Sequence, residues 1–211
     1  MKIQILTDKN SWFFKNQEKT PSKYKKYLKK NLLTNHLQIK KNYEITLIIS
    51  YYKIIPNKFL SNSKHNLVIH ESDLPNGRGM SPLYWQILKG RKKITFTLFE
   101  CTKNMDEGKY YIKKNFYFEP TLIYEEIKEK QLKYAFDLIE LFLKKYAKKK
   151  NIKSYYQKGK PTYFPKIQAS FSELNINKTI KSQMNKLRTR DNVNFPAYFF
   201  YKKKKYTIKL N

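Results

Sequence analysis

Cysteine is nearly absent from this chain. Cys101 is the single one in 211 residues, which excludes an internal disulfide and a zinc cluster built on thiolates. Glycine is scarce as well: Gly77, Gly79, Gly90, Gly108 and Gly159 are the whole complement. No glycine-rich loop follows the first apolar run, so neither a dinucleotide fingerprint nor a P-loop is present. His65 and His70 have no third strong ligand beside them, and no metal site is expected. A Gly-x-Ser-x-Gly nucleophile elbow is missing too. There is no apolar run of about eighteen residues, hence no membrane-spanning helix. The start, MKIQILTDKN, lacks the long apolar stretch of a secretory signal. A soluble cytoplasmic protein is expected.

Acidic residues are few. Sixteen Asp and Glu face 45 Lys and Arg, for a formal net charge of +29. That invites a nucleic-acid reading. Yet only four of the basic residues are Arg, namely Arg78, Arg91, Arg188 and Arg190. Dedicated phosphate readers favour Arg, whose planar fork binds two oxygens at once. The lysines are spread through the whole chain among abundant Asn, Ile and Tyr, a pattern of compositional bias. Whatever its origin, the field attracts anionic substrates.

What is plentiful is core material: 40% of residues are hydrophobic and 16% aromatic. Residues 2–8 read as a buried first strand ending in Asp8. Residues 24–33 read as a helix. The run 44–56, closed by Pro56, reads as a buried strand with its exit loop. HNLVIH (65–70) is another central strand. Residues 81–90 read as a short helix, with Ser81 as N-cap, Pro82 in the first turn and Gly90 as the stop. Strands over 93–100 and 108–120 follow, then a long helix from Pro120 to about Lys150 with Ile123, Ile127, Leu132, Phe136, Ile139 and Leu143 on its apolar face. This alternation predicts an α/β fold, a Rossmann-like open and mostly parallel sheet, over residues 1–150. Residues 151–211 read as a small α+β appendage: a loop over 157–167, a helix over 176–188 and a hairpin over 196–210. The aromatic hairpin either pairs across a homodimer or closes the domain.

In open α/β sheets ligands bind beyond the carboxyl ends of the strands. His70 closes one such strand. The turn Met105-Asp106-Glu107-Gly108 follows another. Alone, a histidine ending a core strand is more often structural than catalytic, and an acidic turn is usually only a turn. Together, two neighbouring strand ends delivering an imidazole and a carboxylate to one sheet edge make an acid–base pair.

The order of these short motifs resembles the catalytic domain of the 10-formyltetrahydrofolate-dependent formyltransferases. That family has a strand ending in Asn-x-His, a Pro-Ser-Leu-Leu-Pro turn, Arg-Gly, a Pro-started helix carrying Trp, a strand and an Asp-x-Gly turn. Here Val68-Ile69-His70 is followed by Glu71-Ser72-Asp73-Leu74-Pro75, Arg78-Gly79, Pro82, Trp85 and, after the strand 94–100, Asp106-Glu107-Gly108. Upstream, Tyr52-Lys53-Ile54-Ile55-Pro56 resembles the family's folate-facing strand end; downstream, Tyr163-Phe164-Pro165-Lys166-Ile167 resembles its Tyr-x-Pro-Lys-Ile segment.

The resemblance implies transfer of a formyl group from 10-formyltetrahydrofolate to a primary amine. His70 and Asp106 match the catalytic pair. Lys53, Ile54 and Ile55, with Lys103, Asn104 and Met105, match the pterin pocket. Arg78, Gly79 and Arg188 are candidate acceptor contacts; Arg188 stands out, with Arg190, Asp191 and Asn192, because arginine is rare in this chain, although basic residues set against a helix C-terminal dipole are the commoner reading. One departure matters: the family's Asn is Val68 here, and Asn66, on the same strand face, stands about 7 Å further back. Glu71 and Asp73 make the turn more acidic than the family's, which suits a cationic amine. Residues 9–43 look too few for the family's strand-helix-strand set.

Among the family's acceptors, about 45 residues after Lys166 look too few for the barrel of the transfer-RNA enzymes. The purine enzyme carries the Asn and a glycine-rich first loop. What is left is an amino sugar, carried on a nucleotide, for surface-glycan synthesis. The competing reading is a formyltransferase-like protein that binds nucleic acid through its basic surface.

Overall fold

A computed structural model of the chain describes residues 1–149 and 151–211. The boundary expected at 150/151 therefore falls on Lys150, outside the described residues. Six strands form one sheet in the order β2-β1-β3-β4-β6-β7: β1 Ile3–Leu6, β2 Leu32–Leu33, β3 Tyr43–Ile48, β4 Ser63–His70, β6 Lys93–Glu100 and β7 Tyr110–Tyr117. The first four run parallel. The last two are antiparallel to their neighbours. The connection from β6 to β7 is a short loop with no crossover helix, so these two strands have to be antiparallel.

Alternation decides what each face carries. Ile3, Ile5, Ile45, Leu47 and Leu67 join Ile127, Leu132, Phe136, Ile139 and Phe142 of α5, Tyr124–Lys149, in the main core. Leu143, expected on that face, is only partly buried at its edge. On the opposite face Leu6, Ile48 and Val68 meet Leu33, Ile39, Ile55 and Leu60 in a second core. One row deeper on this second face lie Gln4, Thr46 and Asn66, in register across three parallel strands. Gln4 Nε2 donates to Thr46 Oγ1 at 3.0 Å and to Ser63 Oγ at 3.3 Å.

The segment 9–43 is better furnished than its length promised. It holds α1 Trp12–Lys15, α2 Ser22–Asn31 and β2. The two residues of β2 pair in parallel with Ile5 and Leu6, so one short strand is enough to protect that edge of β1. Ser11 caps α1 through a 3.0 Å bond from the Phe14 amide.

Between β3 and β4 lies α3, Asn57–Leu60, and after β4 come β5, Arg78–Gly79, and α4, Pro82–Leu88. Ser81 occupies the cap position of α4, but its backbone is left-handed, φ 52°, and its side chain makes no capping hydrogen bond. Pro82 starts the helix, and Gly90, at φ 78°, ends it.

The chain after 150 lies against the sheet. Tyr155 bridges to Tyr110 at the start of β7 through amide bonds of 2.8 and 2.9 Å. The short β8, Tyr163–Phe164, pairs in parallel with β5. The helix α6, Ile180–Arg188, and the hairpin β9, Ala197–Tyr201, with β10, Lys204–Ile208, follow. The hairpin turns through Lys202 and Lys203, both at positive φ, and its inner residues Ala197, Phe199 and Ile208 close over Leu174 and Leu187. Among the described residues no helix is long and apolar enough to cross a membrane.

Gly108 is the tightest point of the β6–β7 connection. A Cβ there would lie 1.6 Å from the Glu100 carbonyl oxygen. Gly108→Ala is expected to cost about 3 kcal/mol, the upper end for overpacking, measured by urea denaturation. A loss under about 0.5 kcal/mol, the range of an ordinary surface change, would show that the loop is not packed as described.

Candidate active site

His70 is the last residue of β4 and faces the second core with Val68, two residues earlier on the same face. The turn behind it folds back over its ring, through a cis Leu74–Pro75 bond and positive φ at Gly77 and Gly79. The ring is 6% exposed, and its Nε2 lies 2.7 Å from the Gly77 carbonyl oxygen. A carbonyl only accepts, so Nε2 carries the proton. In the neutral ring Nδ1 is then the bare nitrogen, and it faces Asp106 Oδ1 at 3.8 Å.

Asp106 does not arrive as the alternating pattern predicted. β6 runs against β4, with Glu100 opposite Leu67 and Thr97 opposite His70, so its carboxyl end points away from the histidine. The loop 101–109 has to double back. It leaves β6 with the Cys101 amide bonded to the Asn66 carbonyl at 2.7 Å. It returns through Asp106 at φ 56°, a left-handed conformation that Asp tolerates better than most residues. The Gly79 amide donates to Asp106 Oδ2 at 2.9 Å, which leaves Oδ1 turned to His70.

The two glycines of the turn are there for close approach. A Cβ on Gly79 would stand 2.4 Å from the Phe164 carbonyl oxygen, and one on Gly77 2.5 Å from the Phe164 ring. The strand pair β5–β8 fills that space. Arg78 N donates to the Thr162 carbonyl at 2.9 Å, Met80 N to that of Phe164 at 3.1 Å, and Gly77 N to Thr162 Oγ1 at 2.8 Å.

Two expected acceptor contacts are corrected here. Arg78 is 8% exposed, and its fork is engaged inside the protein: one nitrogen on Glu107 Oε1 at 2.7 Å, another on Gln157 Oε1 at 2.9 Å. Arg188, 3% exposed, donates to the carbonyls of Leu122 and Glu119 at 3.0 and 3.4 Å and to Asn185 Oδ1 at 3.0 Å. It fastens α6 to the turn before α5. Both guanidinium groups are held by partners within the protein. Gly79 does stand at the site, through its amide on Asp106.

The residues expected to form the pterin pocket divide. Ile54 and Met105 are apolar side chains left 65% and 53% exposed, beside exposed Lys53, Lys103 and Asn104. Asn104 Nδ2 donates to Glu107 Oε2 at 2.9 Å. Ile55 points inward instead, buried in the second core with Leu6, Ile48 and Leu60; whatever it does for a ligand, it does through the backbone. Asn66 does not replace Val68. It belongs to the buried polar row, with Nδ2 on the Leu60 carbonyl at 2.9 Å and Oδ1 without a partner. The two acidic residues of the turn are partnered, Glu71 by Gln131 and Asp73 by Lys113. Gln157 was not recognised from the sequence as a site residue. A lone Gln in a lysine-rich loop carries no signal of its own beyond opening the segment 157–167.

Residues 3–139 match the family model described as formyl transferase. Among curated proteins, the methionyl-tRNA formyltransferase of Fervidobacterium nodosum is 28% identical over 158 residues, 74% of this chain and 49% of its own length. The chain spans about half the length of the curated relatives it matches. Among solved structures, methionyl-tRNA formyltransferase from Clostridium thermocellum superposes with a TM-score of 0.72 at 23% identity, covering 97% of this chain and 90% of that one. HypX from Aquifex aeolicus in complex with tetrahydrofolic acid gives 0.71 at 18% identity, covering 97% of this chain and 36% of HypX. A sugar N-formyltransferase from a Shewanella species gives 0.67 at 18% identity, covering 100% and 97%. At these identities the structures speak for the fold.

Cys101, at the foot of the loop that carries Asp106, tests the local electrostatics. Burial, followed by the carboxylates of Glu100 and Asp106, pushes its thiol up to about 12. Only the thiolate is nucleophilic. Alkylation by iodoacetamide at pH 8 is expected to run at least a hundredfold slower in the native protein than after unfolding. Equal rates would remove both the burial and the nearby carboxylates from the description.

Proposed function

The chain belongs to the formyl transferase family, and from that footing we propose that it moves the formyl group of 10-formyltetrahydrofolate onto a primary amine. The amine nitrogen attacks the formyl carbon. A new C–N bond forms, the bond from that carbon to N10 of the folate breaks, the amine gives up a proton and N10 receives one. The observation that carries the reading is the 3.8 Å gap between His70 Nδ1 and Asp106 Oδ1. A bare ring nitrogen and a carboxylate oxygen both accept hydrogen bonds, so an N–H donor is what satisfies the pair. An amine nitrogen standing about 2.9 Å from each donates to both. The pair orients its lone pair and takes its proton as the new bond forms. Ile54 and Met105 offer apolar surface for the pterin, and the HypX structure was solved with tetrahydrofolic acid on the same fold.

Val68 supplies no hydrogen bond to the oxyanion. Losing one such donor typically costs a factor of about 10²–10³ in rate. Val68→Asn is therefore expected to raise kcat tenfold or more, and an unchanged or lower kcat would mean that the oxyanion does not form beside residue 68. Asp106→Asn is expected to lower kcat at least a hundredfold while leaving folate binding intact.

For the acceptor, the reading favoured is an amino sugar on a nucleoside diphosphate. The positive field suits its diphosphate, and a sugar N-formyltransferase shares the fold along nearly its whole length. The second reading, methionyl-tRNA, is favoured by the curated sequence relatives. Two assays separate them. Saturating 5-formyltetrahydrofolate, a stable donor mimic, at a hundred times its Kd is expected to add about 2.7 kcal/mol of stability. Formyl transfer is then measured to nucleotide amino sugars and to aminoacylated tRNA. Transfer to tRNA alone overturns the sugar; no folate-dependent stabilisation overturns the formyltransferase.

A further inference from the structure

The loop that carries Asp106 has little of its own to hold it. Residues 102–105 are exposed, and Asp106 itself is left-handed. The structure ties the loop down from outside the sheet, and one side chain reaches its backbone at two points. Gln157 Nε2 donates to the Asp106 carbonyl at 2.8 Å and to the Gly108 carbonyl at 2.9 Å. Its Oε1 accepts from Arg78 at 2.9 Å, and the same guanidinium holds Glu107. The amide can sit only this way round. Two carbonyls demand a donor and an arginine demands an acceptor.

Gln157 comes from the segment after α5. That segment is anchored on one side by the Tyr155–Tyr110 bridge and on the other by β8 against β5. The clamp therefore grips Asp106, Glu107 and Gly108 together, while the Gly79 amide, one residue along from Arg78, takes hold of the Asp106 carboxylate. We infer that Gln157 is a positioning residue: acting through Arg78 and the loop carbonyls, it sets the Asp106 carboxylate against His70. Its catalytic part rests on the formyl-transfer reading; its structural part does not.

The test uses the full chain with Gln157→Leu, which removes the clamp, and Gln157→Glu, which keeps its shape but turns an oxygen toward the two carbonyls. The first readout is hydrogen exchange of the Gly79 amide, followed by ¹⁵N NMR, since that proton is held by Asp106. Exchange is expected to accelerate at least tenfold in both variants, with the melting temperature of at least Gln157→Glu close to wild type. The second is kcat, expected to fall tenfold or more in the wild-type background and not at all further in Asp106→Asn, because a residue that acts through Asp106 adds nothing once Asp106 is disabled. In Gln157→Glu, activity is expected to return in part as pH falls, since a protonated glutamic acid donates again. Unchanged Gly79 exchange, or the same kcat loss in both backgrounds, overturns the inference. Should wild type transfer no formyl group to any amine, the proposed function fails while Gly79 exchange still decides the clamp.

Discussion

A single hydrogen bond, from the Gly79 amide to Asp106 Oδ2, is the contact on which the geometry of this site depends. It spans two segments that the strand order does not bring together. β4 delivers His70 to the carboxyl edge of the sheet; β6, antiparallel to it, leads away. Only a loop that doubles back can put a carboxylate beside the histidine, and a mostly exposed loop needs outside support. Glycine at 77 and 79 lets the segment 162–164 lie against the turn, which fixes Gly79. Gln157 and Arg78 fix the loop from the other side. The imidazole is held by the Gly77 carbonyl from the same turn, so one short stretch orients both members of the pair.

The charge of the chain divides along the same lines. Three of its four arginines, Arg78, Arg188 and Arg190, are buried, and each serves the interior. Arg190 stacks 4.2 Å over the ring of Tyr84 and reaches Ser172. A planar fork with several donors can satisfy carbonyls and carboxylates in a confined space, where a lysine would leave them unpaired. Lysines supply the bulk of the net charge. That division favours bias as the source of the +29, with attraction of anionic ligands as its consequence.

Much of this was legible in the residues. The strand ending in His70, the Pro82 helix start, the Gly90 stop and the long amphipathic α5 follow from local patterns of period two and 3.6. So does the hairpin about Lys202 and Lys203. What local pattern cannot carry is direction and partnership. Nothing in KITFTLFE says that it runs against its neighbour. Nothing in Ser81 says that its backbone is left-handed. Arg188 stood out because arginine is rare here and Arg78 because it precedes Gly79 in the motif order, but neither signal names a partner; Glu107, Gln157, Leu122 and Glu119 lie 29 to 79 residues away. Residues 9–43 looked too short because a two-residue strand such as β2 leaves no periodic trace.

The central claim is that His70 presents a bare Nδ1 to the Asp106 carboxylate, leaving room for one N–H donor between them. Long-range ¹H–¹⁵N correlation of the His70 ring, at a pH where the ring is neutral, reports this directly. The account predicts a protonated Nε2 and an unprotonated Nδ1, a pattern that persists in Asp106→Asn because the Gly77 carbonyl sets it. A proton on Nδ1 in the wild-type protein would contradict it: the imidazole would already be bonded to Asp106, and the place assigned to the attacking amine would be filled.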